Sequence, residues 1–206
     1  MADRNSTGIL AASGMALALL LTGCSGGDEG SKPLSSSDVG TPWVVPDTDL
    51  KDTSGADYRL TDGTTKPVTL VFFGYTNCPD ICQMVMANIA SAMTRLDDDE
   101  RKQVEVVFVT TDPARDTEKV LGDYLERFDP TFIGATAKMD RILELGKAFK
   151  VAIEKGEKLP SGGYDVTHGT QVFLVDENDE IPMFWGQDTS SAVFARDIST
   201  LLKADS

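Results

Sequence analysis

The chain has 206 residues, of which 33 are Asp or Glu and 19 are Lys or Arg, giving a net charge of −14 at pH 7. That excess of negative charge argues against nucleic acid or an anionic membrane face as a partner, and it favours solubility and cationic ligands. No internal repeat divides the sequence, and residues 41–206 suffice for one ordinary domain with its own core.

At the N-terminus Gly8–Leu21 is an almost purely apolar stretch that ends in Leu21-Thr22-Gly23-Cys24. A membrane-spanning helix needs about 20 apolar residues, so this shorter stretch reads as the hydrophobic region of a signal peptide. Leu-Thr-Gly-Cys resembles the bacterial lipobox. Residues 1–23 are then expected to be removed and Cys24 to be lipidated. The protein would be extracytoplasmic, held by its lipid on the outer face of the cytoplasmic membrane of a bacterium. Residues 24–40 are rich in Gly and Ser and carry no apolar periodicity, so they read as a flexible tether with a reach of roughly 20 Å.

Beyond the tether, Val44–Leu60 suggests short strands. Val68–Phe73 is a β-branched and aromatic run of the kind buried on both faces of a sheet. Met84–Leu96 has apolar residues at helical spacing, and the acidic run Asp97–Glu100 reads as a solvated helix end or turn. Val104–Val109 is a second buried strand, followed by an amphipathic helix over Thr117–Phe128 and a third helix over Met139–Phe149. The polar stretch Glu154–Asp165 reads as a flap or surface loop. Gln171–Val175 and Ile181–Trp185 flank a turn-rich segment and form a hairpin, and Ser190–Leu202 closes the chain as a helix capped by Ser190 or Ser191. The order is that of an α/β thioredoxin-like fold, a central mixed sheet flanked by helices. The N-terminal strand segment is an addition and the third helix an insertion.

Three cysteines are present, and if Cys24 carries a lipid the remaining two, Cys78 and Cys82, form a pair. A bridge closing so short a loop constrains the unfolded chain little, so function explains the pair better than a structural staple. Phe73-Gly74-Tyr75-Thr76-Asn77-Cys78 leads from the carboxyl end of a central strand into a helix, where open α/β sheets gather ligands. Cysteines four apart lie on one side of helical backbone, and the positive helix end favours their thiolates. Pro79 suits the first helical turn. The C-x-x-x-C spacing alone is compatible with a redox couple, a metal clamp or a buried bridge.

His168, the only histidine, adds a third donor just before the hairpin. Two soft thiolates and an imidazole suit a copper ion as Cu(I) or Cu(II), whereas zinc wants a fourth ligand. The expected metal set is therefore Cys78, Cys82 and His168. In a redox role Cys78 and Cys82 would instead be the catalytic pair. Nearby, Asp116 or Thr117 is expected to cap the second helix and Arg115 to pair with a neighbouring carboxylate. Asp112 and Arg115 follow a strand end close to the dithiol, within reach of a bound metal or its acceptor. Met84 and Met86 are read as core residues.

Phe-Phe-Gly-Tyr-Thr-x-Cys-Pro-Asp-Ile-Cys at 72–82 resembles the signature of the Sco/SenC copper proteins, as do Asp112-Pro113-Ala114-Arg115-Asp116-Thr117 and Thr167-His168 before a strand ending Leu174-Val175-Asp176. Gln83 stands where the family often has Pro and Thr167 where it often has Asp. Neither change removes a ligand. The resemblance implies a thioredoxin-like fold and delivery of copper to the dinuclear copper site of cytochrome c oxidase subunit II, or to another extracytoplasmic copper protein. The alternative it implies is a membrane-tethered thiol–disulfide reductase acting on the cysteines of that site and supplied by a thiol reductant protein. A thiol peroxidase and a structural zinc site or bridge are the remaining alternatives.

Overall fold

The computed structural model describes residues 34–63, 66–158 and 164–204. The expected signal peptide and lipidated Cys24 lie outside the described residues. The elements in chain order begin with strands β1 (Ser37–Val44), β2 (Leu50–Asp52) and β3 (Asp57–Tyr58) and the single turn of helix α1 (Leu60–Gly63). They continue with β4 (Val68–Gly74), α2 (Ile81–Met93), α3 (Asp98–Lys102), β5 (Val104–Thr110), α4 (Glu118–Leu125), β6 (Ile133–Thr136) and α5 (Met139–Ala148). The last third holds β7 (Ile153–Lys158), β8 (Tyr164–His168), β9 (Val172–Val175), β10 (Glu180–Trp185) and α6 (Ser191–Ala204).

Eight strands form one mixed sheet in the order β1-β10-β9-β4-β5-β6-β2-β3, while β7 and β8 form a separate antiparallel pair. Every residue of β4 is buried, as expected for a central strand of Val, Thr, Leu and Phe covered on both sides. Its alternation sorts the core into two layers. Leu70 and Phe72 pack with Val85, Ile89, Leu121, Phe194 and Ile198 from α2, α4 and α6. Val71 and Phe73 pack with Leu60, Ile142, Leu145 and Phe149 on the α1 and α5 side. β4 and β5 run parallel with Gly74 opposite Thr110, so their carboxyl ends finish level with each other.

Four details depart from the sequence reading. Part of the stretch read as a tether is folded: Ser37–Val44 pairs with β10 as an edge strand and Ser35 N–H donates to the buried Asp197 carboxylate at 2.9 Å. The polar stretch Glu154–Asp165 is not a simple loop, since most of β7 and the start of β8 fall within it. β6 was not anticipated at all. Helix α2 begins three residues earlier than its apolar period, and Met84 is 37% exposed, so it is a surface residue, whereas Met86 is fully buried. The acidic run Asp97–Glu100 opens α3 through a reciprocal capping box, in which the Asp97 side chain accepts from the Glu100 N–H and the Glu100 side chain accepts from the Asp97 N–H.

Among the described residues no helix is long and apolar enough to cross a membrane.

Candidate metal centre

The chain leaves β4 at Gly74 and turns through Tyr75, Thr76 and Asn77 before entering α2. Cys78 sits in that turn, its N–H donating to the Tyr75 carbonyl at 3.1 Å. Cys82 occupies the first turn of α2 and donates its backbone N–H to Cys78 Sγ at 3.4 Å, so both sulfurs face the same side. His168 arrives from another direction, as the last residue of β8. Its Nε2 lies 3.5 Å from Cys82 Sγ, and the three potential ligand atoms all fall within 4.8 Å of one another. This is the one such His, Cys or carboxylate cluster among the described residues.

The imidazole is fixed in orientation: His168 Nδ1–H donates to the Gly169 carbonyl at 2.7 Å, which turns Nε2 toward the sulfurs. Tyr75 and Phe72 meet the ring edge to face at centroid distances of 5.7 and 6.2 Å. Cys82 is wholly buried and Cys78 is 7% exposed. Cys78 opens into a shallow cleft of about 270 Å³ lined by Tyr75, Pro79, Asp80, Ile81, Val166 and Thr170. Two cysteine sulfurs and one imidazole nitrogen, converging at the cleft, form a soft donor set suited to copper that leaves a side open for an incoming ligand.

The two thiols are electrostatically unequal. The hydrogen bond from the Cys82 thiol pulls Cys78 down to about 4, with the His168 ring and the Cys82 and Asp80 backbone N–H groups adding to the effect and burial opposing it. Cys82 moves the other way, kept protonated by its bond to the Cys78 thiolate and by burial. A lowered value means that the thiolate survives as pH falls. The iodoacetamide reaction of Cys78 in the reduced, metal-free protein should therefore stay nearly flat from pH 8 to pH 5, where an ordinary cysteine loses about tenfold per unit below 8.5. Peptide mass spectrometry of alkylated Cys78 checks this, and a tenfold loss per unit would contradict the assignment of Cys78 as the thiolate.

Gly74 is what lets Cys82 sit so close to the sheet. A Cβ at that position would lie 2.8 Å from Phe108 Cζ and 3.0 Å from Cys82 Sγ. Gly74→Ala should cost about 1–3 kcal/mol through overpacking and displace Cys82 outward. Denaturant unfolding reads the first effect and weakened metal binding the second.

The loop after β5 lies against the same site. Arg115 pairs with Asp112, as the sequence suggested, and its guanidinium stands 5.7 Å over the Tyr75 ring, one layer behind His168. Thr117 caps α4, its side chain accepting from Val120 N–H. Asp116 does not cap: it turns inward, fully buried, and accepts from Thr76 N–H (3.0 Å), Thr76 Oγ1 (2.6 Å) and Thr110 Oγ1 (2.7 Å). Sequence reasoning missed this role because Asp followed by Thr before a helix reads locally as a pair of caps. Met86 is packed in the core and Met84 lies on the surface of α2.

The SCO1/SenC family model matches residues 36–203. Protein SCO2, mitochondrial, of Saccharomyces cerevisiae is 33% identical over 132 residues, covering 59% of this chain and 44% of the yeast protein. The chain spans about half the length of the yeast, fission yeast and zebrafish relatives it matches. The solution structure of apo Sco1 from Thermus thermophilus superposes with a TM-score of 0.72 at 27% identity, covering 84% of this chain and 97% of that one. Arabidopsis thaliana ScoI, solved with copper bound, gives a TM-score of 0.72 at 24% identity over 78% of this chain and 99% of that one. The fold is thioredoxin-like, with a central mixed sheet flanked by helices.

Proposed function

The chain belongs to the SCO1/SenC family, and from that premise we propose that it is a copper carrier, holding one copper ion between Cys78, Cys82 and His168 and passing it to another protein. The observation that carries this reading is the convergence of two cysteine sulfurs and His168 Nε2 within 4.8 Å at the mouth of a cleft. Three protein donors leave room for a ligand from the acceptor, so copper can move by exchanging one donor at a time without ever being released to water. The receiving site is the dinuclear copper site of cytochrome c oxidase subunit II, or that of another extracytoplasmic copper protein. Cys24, lipidated, holds the carrier on the outer face of the cytoplasmic membrane.

A second reading draws on the unequal thiols. The Cys78 thiolate attacks a disulfide of the acceptor, Cys82 resolves the mixed disulfide, and the acceptor leaves as a dithiol while Cys78 and Cys82 become a disulfide. A thiol reductant protein then restores the pair.

Copper titration of the reduced protein, followed by ultraviolet–visible and electron paramagnetic resonance spectroscopy, tests the first reading. One-to-one binding with thiolate-to-copper charge-transfer bands is expected. Weak binding without those bands would leave the thiol–disulfide reading as the better one.

A further inference from the structure

Asp116 is a fully buried carboxylate with no Lys or Arg of the described residues paired to it. Burial of an ionised group without a counter-charge costs stability even when its oxygens are hydrogen-bonded, and an apolar side chain would fill the same space at lower cost. All three of its hydrogen bonds are spent on two residues: Thr76, two positions before Cys78, and Thr110, the last residue of β5. Thr110 is itself oriented, because its Oγ1 accepts from Asp112 N–H at 3.0 Å and its proton is directed to Asp116. Thr111 completes the fastening, its N–H and hydroxyl both reaching the Gly74 carbonyl, at 2.6 and 3.1 Å. The loop that bears Cys78 is thus tied to the neighbouring strand at both Gly74 and Thr76.

We propose that Asp116 is the positioning residue of the metal centre: it fixes the Thr76 end of the Cys78 loop in the metal-ready geometry, and its buried charge biases the site toward Cu(II) over Cu(I). This rests on the copper-carrier reading for its second half only. The charge argument follows from counting. Two thiolates and a neutral imidazole give a neutral centre with Cu(II) and a centre of charge −1 with Cu(I). A fixed negative charge behind the loop disfavours the latter.

The test compares Asp116→Ala, Asp116→Asn and Thr76→Val in the full chain by amide hydrogen exchange without metal and by competitive Cu(I) and Cu(II) titration. Asp116→Ala should speed exchange at residues 76–82 while leaving β4 and β5 protected, and should weaken copper binding about 10–100-fold. Asp116→Asn retains one acceptor oxygen and a side chain of the same shape. It should restore loop protection and Cu(I) affinity while lowering the ratio of Cu(II) to Cu(I) affinity roughly tenfold. A purely structural residue would not move that ratio. Thr76→Val, which deletes one of the three bonds, should fall between wild type and Ala, and it decides the matter should Asp116→Ala fail to fold. Unchanged loop exchange and copper affinity in Asp116→Ala, or in Thr76→Val where Ala does not fold, would overturn the positioning role. An unchanged ratio in Asn would overturn the charge role. If the wild-type protein itself binds no copper, the carrier reading and the charge role fall together, and hydrogen exchange still decides the positioning role.

Discussion

His168→Ala should lower copper affinity by more than a hundredfold and erase or shift the charge-transfer bands, while thiol–disulfide exchange by Cys78 stays within a few-fold of wild type. The size follows from position. Losing an outer partner of a ligand typically costs 10–100-fold in metal affinity, so losing one of three ligands outright should exceed that. Stability should change by no more than about 1 kcal/mol, because the ring is partly exposed and its Nδ1–H bonds only the carbonyl of the next residue. The two proposed activities part at this residue, since a carrier needs all three donors and a reductase needs two. An affinity that survives the substitution would remove His168 from the donor set and leave the dithiol enzyme as the better account. Substituting either cysteine disables both activities and separates nothing.

Phe72→Ala and Phe73→Ala should each cost about 3–5 kcal/mol, yet only the first should disturb the metal site. Both side chains are essentially inaccessible, 1% and 0% exposed, on adjacent positions of the central strand. Truncating such a ring loses its transfer free energy and leaves a cavity between well-packed layers. For a domain of this size that corresponds to roughly 10–15 °C in Tm. Strand alternation sends the two rings to opposite faces. Phe73 packs on Phe149 and Phe173, at centroid distances of 5.1 and 6.3 Å, far from the ligands. Phe72 packs on Phe108 and on the His168 ring itself, at 5.9 and 6.2 Å. Calorimetry should therefore find two similar losses. Copper titration should find the affinity reduced in Phe72→Ala, where the imidazole gains freedom, and unchanged in Phe73→Ala. Equal affinities in the two variants would show that the aromatic contact does not help to orient His168.

The parts of the fold legible in the sequence are those in which local composition and global role agree. β4 and β5 are unbroken runs of β-branched and aromatic residues because both of their faces are covered, and α4, α5 and α6 show a helical period because one face is. β6 escaped because four residues containing Gly134 and Thr136 carry no usable period. Gly134 is there because a Cβ would lie 2.7 Å from both Leu121 and Thr53. β7 and β8 escaped because they pair with each other and join no layer of the main sheet, so their sequence need not alternate. The extent of β1 was hidden because it is fixed by hydrogen bonding to a strand some 140 residues later, and an edge strand with Gly40 and Pro42 looks like linker. At the site, rarity made the three donors visible: with one histidine and one cysteine pair there was little else to combine. Asp116 was visible as a residue and misread in its role, because its partners Thr76 and Thr110 are set by the pairing of β4 with β5, which no local window contains.

The direction of β1 has a consequence for how the domain is presented. β4 and β10 run the same way, each antiparallel to the β9 between them, and β1 runs against β10 with Ser37 opposite Phe184. Phe72, Val172 and Trp185 therefore lie in one row across the sheet, and Ser37 enters at that level, three strand spacings or roughly 14 Å to the side of the strand that leads to the cysteines. The polypeptide thus enters the folded body at the same pole from which Cys78 opens. Anything joined ahead of Ser37 would therefore attach to the domain beside the Cys78 cleft rather than at the opposite end of the sheet.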